Sequence, residues 1–415
     1  MCKYIISFLI FVPLFTHAQD KQYSQKVDSI TYKYYLSGDW NNLIVEAKEA
    51  IKDSIDFKYL RQRLAYAYFA KGDYISSQQQ YEKALKFDEK DIDTRTYLYY
   101  CGLYNGNEAF SRYHAGELTS ELKKILKINP FKILNSIDVE YNYKTNDNSK
   151  RGNPAYIRGG INSQLGYRLN LYQAFSTYSQ TNMTSFEEQS GLLKLRTIDS
   201  TAIRQIEYFA LLDWTIAPHL NFDIGYHYVN SKLNIKYTYT ISSINYKKAF
   251  DTIINLPGHM ICTKLSYTLN RFDFALSGSV FNYDSILTQQ YGIHAGVLLP
   301  GKYKIYLKSS LYGLIDSKNN NRLIFNQSAG ALFFKKLWVE GNITLGNLDN
   351  YADKSGLYIY NSLDPTVFRT GLSLFWNILP KISLFGNYTY DTKPIKEDLT
   401  NYNQHSFSSG IIWKL

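Results

Sequence analysis

The sequence predicts a two-part chain of α plus transmembrane β class, a short α-solenoid followed by an antiparallel β-barrel of about 14 strands. Three observations carry that prediction. Gly38, Gly72 and Gly106 recur 34 residues apart, each opening a turn (Gly38-Asp39-Trp40, Gly72-Asp73-Tyr74, Gly106-Asn107-Glu108), which is the period of a helical-pair repeat. From Ile133 onward the apolar residues recur at every second position instead of every third or fourth. The connections between these alternating segments are short and long in turn.

The first 18 residues have the layout of an export signal. Lys3 precedes an apolar run from Tyr4 to Phe15, and Thr16-His17-Ala18 places small residues where a signal peptidase reads, so cleavage is expected after Ala18. The run is too short for a membrane helix and Pro13 interrupts it; Cys2 lies away from the cleavage point and supports no acylation. No later apolar stretch approaches the roughly 20 residues of a membrane helix, so a membrane-embedded mature chain must span as a barrel. Beyond the signal only Cys101 and Cys262 remain, which form no disulfide framework and no metal-ligand spacing and read as small buried hydrophobes. The net charge is +10, with the excess beyond residue 132. Lipopolysaccharide phosphates at a barrel rim, an anionic solute or scattered solubility charge each account for that bias, and an exported chain without a dense basic run is not a nucleic-acid binder.

Residues 19–130 form the helical part. Within 58–91, Leu64, Ala65, Tyr68, Gly72, Asp73, Tyr74, Tyr81, Ala84, Leu85 and Phe87 fall at the spacing of a helix-turn-helix unit, and Tyr34, Gly38, Asp39, Trp40, Ala47 and Ala50 repeat it one period earlier. This closely resembles the tetratricopeptide repeat, departing from it at Ser77 and Glu89; the third unit keeps little beyond Gly106 and reads as a cap. At this period Tyr32, Tyr66 and Tyr100 coincide, as do Tyr35, Phe69 and Leu103, all on the first helix of each pair. In the resembling family that helix lines a concave groove, which implies a partner-binding site for an extended peptide or a partner's tail; the alternative is that these side chains pack the inner helices together. A last helical pattern, Leu118 to Ile128, stops at Asn129-Pro130.

Residues 131–415 form the β part. Phe407, Ser409, Ile411, Trp413 and Leu415 alternate with smaller or more polar residues, and the same alternation runs through Leu220 to Tyr228, Phe272 to Val280 and Ile382 to Tyr390. Strands are expected to begin near 133, 157, 171, 205, 219, 259, 271, 289, 302, 322, 336, 367, 381 and 405. Short turns fall at Asn270-Arg271, Leu299-Pro300-Gly301, Lys335-Lys336 and Asn377 to Pro380; long loops are expected at 182–204, 231–258, 347–365 and 391–404. Trp214, Trp338, Trp376 and Trp413 lie beside short-turn ends and Tyr141, Tyr143, Tyr226, Tyr228, Tyr388 and Tyr390 beside long-loop ends, the two girdles a bilayer selects. The final segment looks like the strand recognised by outer-membrane assembly machinery, with Leu415 in place of the usual aromatic.

Read from the alternation, Asp138, Glu140, Arg158, Glu207, Asp223, Arg271, Asp273, Lys304, Lys308, Glu340 and Arg369 face the lumen. Charges of both signs favour a structural network over a selectivity ring, and Arg158, Lys304, Lys308 and Arg369 are the candidates for touching an anionic solute. Of the histidines beyond the signal, His227 is the best placed for catalysis, but no serine or carboxylate partner is identifiable and no phosphate loop or metal cluster exists; an enzyme is not expected, and no cofactor or metal.

The whole architecture resembles outer-membrane exporters that place periplasmic tetratricopeptide repeats before a barrel, as in exopolysaccharide secretion, and the YaiO-like repeat-plus-barrel proteins. The resemblance implies an outer-membrane conduit with its N-terminal domain in the periplasm, a periplasmic or envelope protein as partner, and a polar, possibly polysaccharide or anionic, cargo. The competing reading is a non-conducting anchor or docking protein. The sequence leaves open whether 231–258 folds inward as a plug.

Overall fold

The computed structural model describes residues 22–190, 193–241, 246–299, 301, 303–334, 336–395 and 400–415; the expected export signal lies outside them, as do Pro300 and Lys335 of the predicted turns. The chain divides into two compact units, Met1–Pro130 and Phe131–Leu415.

The first unit holds seven helices among the described residues: α1 (22–37), α2 (Trp40–Lys52), α3 (Lys58–Ala70), α4 (Tyr74–Leu85), α5 (Ile92–Asn105), α6 (Glu108–Gly116) and α7 (Ser120–Ile125). The 34-residue motif has a direct backbone cause. Gly38, Gly72 and Gly106 end the first helix of each pair at φ of 70°, 78° and 75°, a left-handed conformation that costs a side chain with a Cβ about 1 kcal/mol or more. Asp39, Asp73 and Asn107 follow at once and cap the next helix, accepting from Asn42 N, Ser76 N and Phe110 N. One glycine thus stops a helix and one carboxylate or amide starts the next. The helices pack through small and aliphatic residues, Leu43, Ala47, Leu60, Leu64 and Ala67 in one cluster and Ala65, Tyr81, Leu98, Cys101 and Phe110 in the next. Gly102 lets α5 and α6 close up, since a Cβ there would sit 2.8 Å from Ser111 N.

The second unit is a closed antiparallel barrel of fourteen strands, numbered β1 to β16 in chain order with the short β12 and β13 outside the wall. The first eleven are β1 (Phe131–Asn146), β2 (Ala155–Leu165), β3 (Leu169–Ser190), β4 (Leu193–Ala217), β5 (Leu220–Ile241), β6 (Tyr246–Leu269), β7 (Phe272–Tyr283), β8 (Ile286–Leu298), β9 (Tyr306–Asp316), β10 (Asn321–Phe333) and β11 (Leu337–Leu345). After β12 (Tyr351–Asp353) and β13 (Tyr358–Tyr360), the wall resumes with β14 (Phe368–Leu379), β15 (Ile382–Pro394) and β16 (Asn401–Lys414). β1 closes on β16 with Val139 opposite Ile411, so no sheet edge remains at that seam.

Across the wall the usual arrangement of a soluble protein is reversed. Ile157, Phe175, Ile206, Ile261, Leu276 and Ile293 point outward and are between 49% and 68% exposed, whereas Glu140, Arg158, Gln205 and His227 are at most 7% exposed inside. An apolar outer band over a polar interior is what hydrocarbon on one side and water on the other select.

Two of the expected long loops are not loops. β3 and β4 stay paired to Ser190 opposite Leu193, and β5 and β6 to Ile241 opposite Tyr246, so the described residues of 182–204 and 231–258 are the upper halves of two tall hairpins. The sequence pattern fails there because the apolar parity changes without a register shift between β5 and β6. Below Asn230 the apolar side chains Ile224, Tyr226 and Tyr228 occupy even positions; above Ser231 they are Leu233, Ile235, Tyr237, Tyr239 and Ile241, at odd positions, while Lys232 and Lys236 take the outward face. The outward positions of β5 at that height, Lys232, Asn234, Lys236, Thr238 and Thr240, are polar, as suits a face in contact with water.

Candidate functional site

The expected loop 347–365 does not project outward either. Residues 346–367, between β11 and β14, fold into the barrel as a strap that contains β12, β13 and one turn of 3-10 helix (Lys354–Gly356), and they touch strands around the whole wall. At its start Leu348 and Tyr351, both 1% exposed or less, pack on Tyr312, Leu314 and Ile324. In the middle Ala352 exchanges two hydrogen bonds with the side chain of Gln290 on β8, at 2.9 and 3.0 Å, and packs on Met260 and Phe281. Gly356 then approaches β6 so closely that a Cβ would lie 2.5 Å from Met260 Cε, and its φ of +84° also excludes most side chains. Its carbonyl accepts from His227 Nδ1 at 2.7 Å, so Nδ1 carries the proton, and Nε2 lies 3.3 Å from Glu207 Oε2. Further along, Tyr358 donates to Glu140 (2.6 Å) and Asn361 to Gln205 (3.0 Å).

The far end is held by Asp364. Its carboxylate, 4% exposed, takes Arg151 at 2.6 and 3.1 Å and Tyr402 at 3.1 Å, while its carbonyl accepts from Lys393 Nζ at 3.1 Å. A buried carboxylate with this many charged and neutral donors is held firmly, because releasing it would break its ion pair with buried Arg151 and its bond from Tyr402. The strap leaves a cavity of about 1070 Å³, lined by Asp138, Glu140, Lys144, Arg158, Lys308 and Glu340 among many other polar side chains.

The sequence candidates fall into place unevenly. Arg158 lies inside, against Asp138 at 2.7 Å and Glu140 at 2.9 Å. Arg369 is inside as well, held by both oxygens of Asp391 at 2.6 Å each and hydrogen-bonded to Tyr360 of the strap. Lys308 lines the cavity with its ammonium 5.2 Å from the Tyr306 ring centroid. Lys304 is not on the same strand face as Lys308: β9 begins only at Tyr306, and Lys304 sits in the preceding turn at φ 45°. Arg271 likewise lies in the β6–β7 turn. The sequence alternation was extended too far into both turns. Trp338 corrects the girdle assignment, because it shares the parity of inward Glu340 and packs its ring 5.8 Å from Tyr306, whereas Trp214, Trp376 and Trp413 are 45–51% exposed on the outer face.

His227 has the carboxylate neighbour that sequence spacing did not reveal, Glu207, which stands one strand away. Ser176 bonds that carboxylate (2.8 Å) and not the imidazole. His294, lower in the lumen, bridges Ser277 and Ser310 at 2.9 Å each without a carboxylate in contact among the described residues. Neither arrangement aligns a nucleophile, a base and an orienting acid.

In the helical unit the predicted groove residues form part of an aromatic ladder. Tyr35 and Tyr66 are 5.2 Å apart, Trp40 joins both, and Tyr97 lies 5.5 Å from Tyr66 and 5.3 Å from Phe69. Tyr74 and Tyr104 extend it, with Tyr100 stacked on Tyr104 at 6.2 Å. Tyr32 (49%) and Leu103 (44%) remain open to solvent. The sequence reading missed Trp40, Tyr74, Tyr97 and Tyr104, although Trp40 and Tyr74 stand one 34-residue period apart. Cys101 and Cys262 are both buried thiols, and burial pushes the Cys101 thiol up to about 12, so it is inert at neutral pH.

No protein-family model and no curated protein sequence matches this chain. Solved structures similar to it include a bacterial polysaccharide outer membrane secretin (9% identity, TM-score 0.38, 68% of this chain and 99% of that one). The toluene transporter TbuX of Ralstonia pickettii superposes at TM-score 0.45 with 7% identity, covering 68% of this chain and 89% of its own. The toluene transporter TodX of P. putida gives 0.44 and 7% over the same shares. Likenesses this distant are between one large barrel and another and identify neither cargo nor mechanism.

Proposed function

We propose that this chain is an outer-membrane conduit for a polar envelope molecule, such as a polysaccharide, whose lumen is crossed by its own strap. The single observation behind this reading is the cavity of about 1070 Å³ lined by charged and polar side chains inside a closed, outwardly apolar wall. Its walls are built for water and polar solute, and among the described residues of the barrel unit the strap is the element inside it that is not part of the wall. In the same reading the helical unit is a tetratricopeptide-like module in the periplasm that docks an envelope protein along Tyr32, Tyr35, Tyr66, Phe69, Tyr100 and Leu103. Tyr32 and Leu103 supply the open contact area, and the packed rings hold the surface in shape.

A second reading, a non-conducting anchor, is favoured by the fastening of the strap at Gln290, His227 and Asp364. Single-channel recording in a planar bilayer separates the two. Asp364→Ala removes the carboxylate that neutralises Arg151, a loss of about 3–5 kcal/mol at a buried pair, and is expected to free the far end of the strap and raise the open probability well above that of the wild type. Silence of both proteins, with heat-modifiable migration showing a folded barrel, establishes the anchor.

A further inference from the structure

Where the inner wall meets the far end of the strap, Arg151, Arg369, Lys144 and Lys393 gather around the carboxylates of Asp364 and Asp391, with Glu140 and Glu207 also within Coulombic range of Lys144. Asp391, fully buried, is occupied by Arg369, and Asp364 is occupied by Arg151. Both carboxylates are thereby neutralised. Lys393, 5% exposed, is left with neutral acceptors only, Ser362 Oγ at 3.0 Å and Asp364 O at 3.1 Å. Lys144 on β1 has neither an ion pair nor a side-chain hydrogen bond among the described residues, and its side chain lines the cavity.

These two lysines belong to one patch of wall. Lys144 stands opposite Ser406 on β16, Ser406 opposite Thr389 on β15, and Asp391 and Lys393 are the next two inward positions of β15. The two ammoniums and Arg369 lie within Coulombic range of one another. Asp391, Glu140 and Glu207 attract Lys144, and Asp391 and Asp364 attract Lys393, but none of these carboxylates forms an ion pair with either ammonium among the described residues. Ammonium groups drawn out of bulk water without a direct ion pair are costly, and their mutual repulsion adds to the cost. The hydroxyl-bearing residues between them, Thr389 and Ser406, bring no charge.

We propose that Lys144 and Lys393 form a subsite for an oxyanion, the carboxylate or phosphate of a solute that enters the lumen. Arg369 adds to the positive potential there but keeps its own counter-ion, so the pocket attracts an anion without needing to break an existing pair. The proposal rests on the conduit reading for how the solute arrives, and names the chemistry that would be recognised on the way.

The test is calorimetric titration of the full-length protein, folded in detergent, with inorganic phosphate and separately with galacturonic acid. Saturable binding of either probe is expected, phosphate alone or galacturonate alone showing which oxyanion the subsite takes. Lys144→Gln is expected to weaken it at least about tenfold, the loss of one charge-assisted hydrogen bond, with Lys144→Arg restoring most of it. Lys232→Gln, on the outer face, is expected to leave it unchanged. Heat-modifiable migration checks that each variant is a folded barrel. Absence of saturable binding by the wild type overturns the subsite, as does equal binding by Lys144→Gln or an equal loss in Lys232→Gln. A protein that conducts without binding either probe loses only the subsite, and one that binds without conducting loses only the conduit.

Discussion

The helical unit and the barrel bury opposite kinds of side chain. In α2 to α6 the fully buried residues include Leu43, Leu60, Leu64, Leu98 and Phe110, and the surface carries most of the charges; in the barrel Glu140, Arg158, His227 and Asp391 are buried while Ile261 and Leu276 are exposed. The same physics produces both. Apolar surface leaves water wherever it can, into a neighbouring helix in one unit and toward hydrocarbon in the other, and many of the polar groups left inside the barrel, such as Glu140, Arg158 and Asp391, pair with one another or with the strap. The upper half of β5 extends the lesson. Once above the apolar band, β5 turns its apolar side chains Leu233, Ile235 and Tyr237 to the other face, so the solvent and not the sheet decides which face of that strand is apolar.

The contrast is sharpened most by a core truncation. Leu98→Ala leaves a cavity in the helical unit and is expected to cost about 2–5 kcal/mol there, lowering the helical melting transition at 222 nm while the barrel keeps its heat-modifiable migration. Loss of the barrel signal together with the helical one would show that the two units are stabilised in common. Somewhat smaller is the effect of charge on the outer face. Leu276→Arg, at a position 60% exposed, is expected to cost about 2–4 kcal/mol in lipid although an exposed leucine on a soluble protein would tolerate it. Unchanged urea unfolding in lipid vesicles would place Leu276 outside the hydrocarbon.

The smallest effect is electrostatic and belongs to the helical unit alone. The hydrogen bond from Lys58 holds the Asp88 carboxyl below its usual range. At Asp91 burial acts upward, but hydrogen bonds from Lys58 and Thr94 outweigh it and the carboxyl is again lowered. Groups depressed in the folded state contribute stability that is present above the ordinary carboxylate pKa of about 4 and is lost as pH falls through the lower folded value. The helical melting temperature is therefore expected to drop as pH is lowered below about 4, and Lys58→Met to flatten that dependence. An identical pH profile in the variant would remove Lys58 from the account.

Much of this architecture was legible in the chain. The glycine and cap residues at 38–39, 72–73 and 106–107 announce the helix boundaries because αL geometry and N-capping are decided by single residues. All fourteen wall strands answer to an alternating segment, since period 2 survives wherever one face meets lipid. The tall hairpins were lost because their parity switches, and Lys304, Arg271 and Trp338 because alternation says nothing about where a strand ends or which parity is inside at its last residue. The site was far less legible. Arg158 and Arg369 were placed in the lumen, but their carboxylate partners, the Glu207 beside His227 and the role of Asp364 depend on neighbours up to 213 residues away.

By itself, the sequence determined the local grammar: where helices stop, where strands alternate and which face of the wall is apolar, because each depends on a residue and its near neighbours. Only the tertiary structure decided that 346–367 turns inward across the lumen. That path rests on contacts with strands drawn from the whole circumference, Glu140, Gln205, His227, Gln290 and Tyr402, which become neighbours only when the barrel closes.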